Sequence, residues 1–237
     1  MIRIKICCIA SPAEAALALA AGADVLGLVA AMPSGPGPIS NAAIAEIAAS
    51  LPSQVLSLLL TAETTAEAIT DHVKRTGVRG VQIVSHIDPA EQAKLAALLP
   101  DHERWQVVHV EDEAALTMIP AHGPHVTGFL LDSGRPSQQE LGGTGRVHDW
   151  AISAAFVAAS PVPVFLAGGL NPGNAAAAVA QVQPAGLDIC SGLRREGRLD
   201  ETLARFFVSA ARQAGPGAYG PRVRQKGTSS TTIQPNS

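Results

Sequence analysis

The sequence predicts an α/β fold, a single-domain (β/α)8 TIM barrel, on three observations. Apolar runs and helix-like segments alternate over residues 1–214 of the 237-residue chain, giving eight strand-then-helix units about 25 residues apart. The strand segments are continuous apolar runs without polar alternation, as a parallel sheet buried on both faces requires. Isolated polar residues and glycine-rich turns gather where those runs end, which is the face that carries the chemistry of such barrels. A count of eight favours closure over an open doubly wound sheet.

Each unit has its own signals. The strands are placed at 2–9, 25–31, 55–60, 81–84, 106–110, 128–131, 162–166 and 187–190. Ser11-Pro12 caps the first helix, with proline at its first position, and Gly22 ends it. Ser40 caps the second, and Thr64 with Glu67 forms a capping-box pair for the third. Asp88-Pro89 opens the fourth. The fifth, at 111–119, has the weakest signals, and the sixth follows Asp149. Asn171-Pro172 opens the seventh, with Asn171 as its N-cap, and 199–213 forms the eighth.

Composition narrows the function. Seventeen basic against twenty acidic residues, with no basic stripe interleaved with aromatics, argues against a nucleic-acid partner. No apolar run reaches the roughly eighteen residues of a membrane span, and Met1 leads straight into a strand without a signal peptide, so a cytoplasmic location is expected. The three cysteines, Cys7, Cys8 and Cys190, have no zinc-type spacing, so no metal is expected. From Gly215 the chain turns rich in Gly, Pro, Ser and Thr, which predicts a disordered tail over 215–237; a docked arm is the alternative.

The strand ends supply the candidate residues. They are Lys5, Cys7 and Cys8 on the first strand, Gln82 and His86 at the fourth, His109 at the fifth and Asp132 at the sixth. Three glycine-rich turns would converge there: Gly142-Gly143-Thr144-Gly145, Gly168-Gly169 and Ser191-Gly192. Backbone N–H groups in such turns, near helix N-termini, suit a phosphate. A carboxyl at a partly apolar strand end is suited to general-acid work, and a strand-end thiol to general-base work once a cation such as Lys5 favours the thiolate. Read blandly, an unpaired cysteine is inert core and a strand-end aspartate is a cap.

These motifs resemble the phosphoribosylanthranilate isomerase family. The likeness is carried in order by KIC at Lys5 to Cys7, LLD at Leu130 to Asp132, GGTG at Gly142 to Gly145, LAGGLNP at Leu166 to Pro172 and GLDICSG at Gly186 to Gly192. It implies a cofactor-free Amadori rearrangement of a small phosphosugar substrate, an N-phosphoribosyl amine, by a monomer or homodimer. It further implies Cys7 as general base, Asp132 as general acid and the three glycine turns as phosphate ligands. Lys5, Gln82, Arg135 and Arg194 are the remaining substrate-binding candidates.

The departures from the family pattern lie away from the phosphate turns. Gly35-Pro36-Gly37 replaces a stretch whose arginine grips the anthranilate carboxylate in the family. Cys8 replaces a glycine, Ile83-Val84-Ser85 replaces LHG, His148 a phenylalanine, and Arg194 a glutamate. Either Arg135 or Arg194 takes over the carboxylate, or the site serves a different amine or phosphorylated ligand. A phosphate-ligand binder without turnover is the reading from another class. Cys8, alternating with Cys7, is expected to face the helix layer as packing. His86 and His109 are expected as hydrogen-bonded wall residues.

Overall fold

A computed structural model of the chain describes residues 1–33, 35–134 and 148–215. Eight parallel strands close into a barrel in sequence order: β1 Arg3–Ile6, β2 Val25–Val29, β3 Leu56–Thr61, β4 Gly80–Ile83, β5 Glu103–His109, β6 Gly128–Asp132, β7 Val164–Leu166 and β8 Gly186–Ile189. Strands β1 and β8 pair from Arg3 with Gly186 to Ile6 with Ile189, which shuts the sheet on itself. The helices α1 Pro12–Ala21, α2 Asn41–Ser50, α3 Ala66–Thr76, α4 Pro89–Leu98, α5 Met118–His122, α6 Trp150–Ala159, α7 Ala175–Val182 and α8 Glu201–Gln213 connect them. The expected single-domain barrel is therefore present. Beyond Gly215, the predicted tail lies outside the described residues.

Most helix starts follow from local chemistry. The side chains of Ser11, Ser40, Asp88 and Asp149 each accept a backbone N–H in the first turn of their helix. Others shift. The N-cap of α3 is Thr65 rather than Thr64, and the Ala66 N–H that the shift leaves is taken by Glu91 from α4, at 2.8 Å. Helix α7 begins at Ala175, because Asn171 spends its Oδ1 on the Gly173 N–H and so closes a turn before the helix. The weakly signalled fifth helix divides into a 3₁₀ turn over Glu113–Thr117 and the single turn of α5. A short hairpin, β9 Arg194–Arg195 with β10 Arg198–Leu199, has no counterpart in the expectations.

Inside the barrel, four glycines on the even-numbered strands make room for bulk on their odd-numbered neighbours. A Cβ on Gly186 would lie 2.2 Å from the Phe165 ring, and one on Gly128 3.0 Å from the Trp105 indole nitrogen. At Gly80 it would meet Glu103 at 2.6 Å and Leu58 at 2.8 Å; at Gly27 it would meet the Cys7 sulfur at 2.8 Å and the Lys5 ammonium at 3.0 Å. Layers filled by alternate strands are the packing rule of this barrel. Below, Trp105 and Phe165 pack with their rings tilted by 39° and 4.4 Å between centroids, and plug the floor. Above, Gly27 leaves space for the polar side chains of β1.

Candidate active site

At the C-terminal end of the barrel lies a cavity of about 800 Å³, counting its open mouth. Cys7 and Cys8 after β1, Gln82 on β4, Asp132 on β6, Gly168-Gly169 after β7 and Asp188, Cys190 and Ser191 at β8 all line it. Apolar wall comes from Val29, Leu60, Val84, Val107 and Leu130, and Met32, Gly35 and Pro36 close one side.

Asp132 reaches the cavity across the barrel from Cys7, and its Oδ1 accepts the Ser133 N–H at 2.7 Å. Burial raises its pKa above the usual carboxylate range, while the Ser133 hydrogen bond and the Lys5 charge only partly offset this. Its partner Ser133 packs on Gly168, where a Cβ would come within 2.9 Å of it. Gly168 and Gly169 have φ of 79° and 64°, a left-handed pair that side chains would strain. Next to them Ser191 opens a 3₁₀ turn, and a Cβ on Gly192 would stand 2.2 Å from the Leu170 carbonyl oxygen, so the two turns touch. The amide of Asn174 donates to the Gly169 carbonyl at 3.0 Å and leaves the first turn of α7 without a side-chain cap.

Lys5 differs from expectation. It is fully buried and donates to Asp188 Oδ2 at 2.8 Å, beneath the cavity rather than on its wall. Burial works to lower its pKa, but the Asp188 carboxylate together with the neighbouring Cys7 and Cys8 outweighs it, and the pKa is raised. Burial likewise raises the pKa of Asp188 against the pull of Lys5. The other oxygen of Asp188 has no hydrogen-bond partner, nor has Oε1 of Gln82, among the described residues. Both oxygens are shut off from solvent, although their residues line the cavity. Asp188 was missed as a site residue because a carboxylate inside an apolar run reads as part of a strand; its spacing from Ser191 was the available signal.

Arg194 is not at the cavity. It pairs with Glu14 at 3.1 Å and donates to the carbonyls of Cys8 and Gly197, which fixes the hairpin on α1. Its guanidinium is thus engaged by Glu14 and two backbone carbonyls. Cys8 departs from expectation. Strand β1 stops at Ile6, and Cys8 takes a left-handed φ of 62°, so the strand alternation ends and its thiol turns to the cavity instead of the helices. His109 is buried with Nε2 3.3 Å from the Val84 carbonyl, its ring 5.4 Å from that of His86, and neither histidine lines the cavity. His148 bonds Ser153 at 2.7 Å, and burial lowers its pKa to about 4. Arg135 and the turn Gly142, Gly143, Thr144 and Gly145 lie outside the described residues. Among the described residues, no group of three or more His, Cys, Asp or Glu could hold a metal ion. None of the described helices is long and apolar enough to cross a membrane.

With this geometry in hand, the family is decided by one comparison: the model of N-(5'phosphoribosyl)anthranilate isomerases matches residues 4–210. The chain belongs to that family. The N-(5'-phosphoribosyl)anthranilate isomerase of Thermosynechococcus vestitus is 33% identical over 215 residues, covering 88% of this chain and 91% of that protein. The isomerase of Halobacterium salinarum is 34% identical, covering 89% and 96%. Among solved structures, the phosphoribosyl anthranilate isomerase of Thermotoga maritima superposes with a TM-score of 0.78 at 25% identity, over 90% of this chain and all of that one.

Proposed function

We propose that the protein isomerises N-(5'-phosphoribosyl)anthranilate to the corresponding 1-amino-1-deoxyribulose 5-phosphate, with Asp132 as acid and Cys7 as base. The observation that carries this reading is the placing of those two groups across one cavity whose far rim is made by touching glycine turns. Asp132, whose carboxyl burial pushes towards the protonated form, gives its proton to the furanose ring oxygen; the C–O bond breaks and the amine nitrogen's lone pair forms an iminium. Cys7 as thiolate removes the C2 proton, and the C2–H electrons move to quench the iminium as an enolamine. Tautomerisation then leaves the ketone. Backbone N–H groups of Gly168, Gly169, Ser191 and Gly192, with Gly142 to Gly145, hold the phosphate. Turnover by the purified protein, with rescue of a tryptophan auxotroph, is the test; absence of both would refute it.

One observation favours a second reading. Among the described residues lining the cavity there is no Lys or Arg, although anthranilate carries a carboxylate. The Met32 and Pro36 side would then hold a less charged amine, with the phosphosugar chemistry unchanged. Comparing kcat/KM for phosphoribosyl amines with and without the carboxylate separates the two: preference for the charged substrate supports Arg135 as its ligand.

A further inference from the structure

We propose that Cys8 and Cys190 are a reversible disulfide-forming pair at the rim of the cavity, with a peroxide as oxidant. The two sulfurs come from the ends of neighbouring strands and lie 2.6 Å apart, the Cys190 thiol donating to Cys8. Their backbones are already fastened, since Cys7 N–H donates to the Ile189 carbonyl at 2.8 Å and Ile6 pairs with Ile189. Joining them therefore requires no strand to move. The left-handed backbone at Cys8 is what aims its thiol, because a continued strand would have pointed it into the helix layer. Both residues line the open cavity, so a molecule as small as a peroxide reaches them.

The surroundings assign the first attack to Cys190. The pKa of its thiol is lowered by its hydrogen bond with Cys8 and then by the Arg194 charge, against burial and the Asp188 carboxylate. Arg194 is locked there by Glu14 and by the Cys8 carbonyl, so the cation is a fixed part of the pair's environment. The Cys190 thiolate attacks one peroxide oxygen, the O–O bond breaks, and the leaving hydroxide is protonated to water, giving a sulfenic acid. The Cys8 sulfur then displaces the sulfenic oxygen, losing its own proton, and a second water leaves as the S–S bond forms. Two thiols give up two electrons and two protons, and the peroxide takes both.

The bond would tie the segment bearing Cys7 to the turn that begins at Ser191, and so couple the oxidant to turnover. The test treats the reduced full-length chain with one equivalent of hydrogen peroxide, then blocks free thiols and maps peptides without reductant. The expected product is a Cys8–Cys190 cross-linked peptide pair about 2 Da lighter than its two free peptides, with Cys7 still alkylated and the bond reversed by dithiothreitol. Cys190→Ser should slow oxidation at Cys8 by about tenfold or more, and Cys8→Ser should leave Cys190 as a sulfenic acid trapped by a dimedone probe. A disulfide containing Cys7, a cross-link between two chains, or full recovery of all three free thiols after treatment would overturn the proposal. Turnover, read separately, should fall on oxidation and return with dithiothreitol; a cross-linked protein of unchanged rate would overturn the coupling.

Discussion

At the scale of single residues, Asp132 bears two opposed demands. Burial raises its folded pKa above the unfolded value, so its contribution to stability is present in acid and is lost as pH rises through the folded pKa. Asp132→Asn should therefore raise the melting temperature at pH 7 to 8, and the gain should vanish below about pH 4, where the carboxyl is neutral in both states. The same variant should lose about 10²- to 10⁴-fold in kcat, as should Cys7→Ala, with inorganic phosphate still binding. Gly37 and Cys8 are a second case. A Cβ at Gly37 would fall 2.6 Å from that of Cys8, so two departures that are 29 positions apart in the sequence form one contact. Gly37→Arg alone should therefore fail to improve use of the anthranilate substrate. Combined with Cys8→Gly it should lower KM about tenfold, the worth of one charge-assisted hydrogen bond, as steady-state kinetics would register.

At the scale of elements, the even strands yield space and the odd strands fill it. Gly186→Ala or Gly128→Ala should cost about 1–3 kcal/mol by overpacking, read as a lower denaturant midpoint at unchanged slope. The β1–β8 seam carries the Lys5–Asp188 pair, and removing one partner strands a buried charge. Lys5→Met should thus destabilise by about 3–5 kcal/mol, with Lys5→Met/Asp188→Asn recovering much of it in a double-mutant cycle. Helix starts were legible because a Ser, Thr or Asp cap acts within three residues. Thr64 against Thr65 was not, since the choice depends on Glu91 arriving from the next helix.

At the scale of the whole molecule, cavity and barrel mouth are one structure, and a ligand that bridges the β7 and β8 turns should stabilise both. Inorganic phosphate at about 100 times its Kd should add about 2.7 kcal/mol, observed by thermal shift. The sequence placed Cys7, Gln82, Asp132, Gly168, Gly169 and Ser191 at strand ends, and all six line one cavity. It placed Lys5 and Arg194 there too, but each had a carboxylate within reach on a distant segment, Asp188 or Glu14. Sequence spacing registers a charge but not its partner.

What the sequence by itself determined is the repeat: eight apolar runs, their capped helices and the glycine turns between them, all set by interactions among near neighbours in the chain. Those local rules, closed by the parallel pairing of β1 with β8, suffice for a barrel and for the face on which chemistry occurs. What only the tertiary structure decided is which polar groups meet. Cys8 turned inward because β1 ended early against β8 and β2, Lys5 was spent on Asp188, and Gly37 came to rest on Cys8. Each depends on contacts between residues far apart in sequence, where desolvation and short-range repulsion act only after the chain has closed.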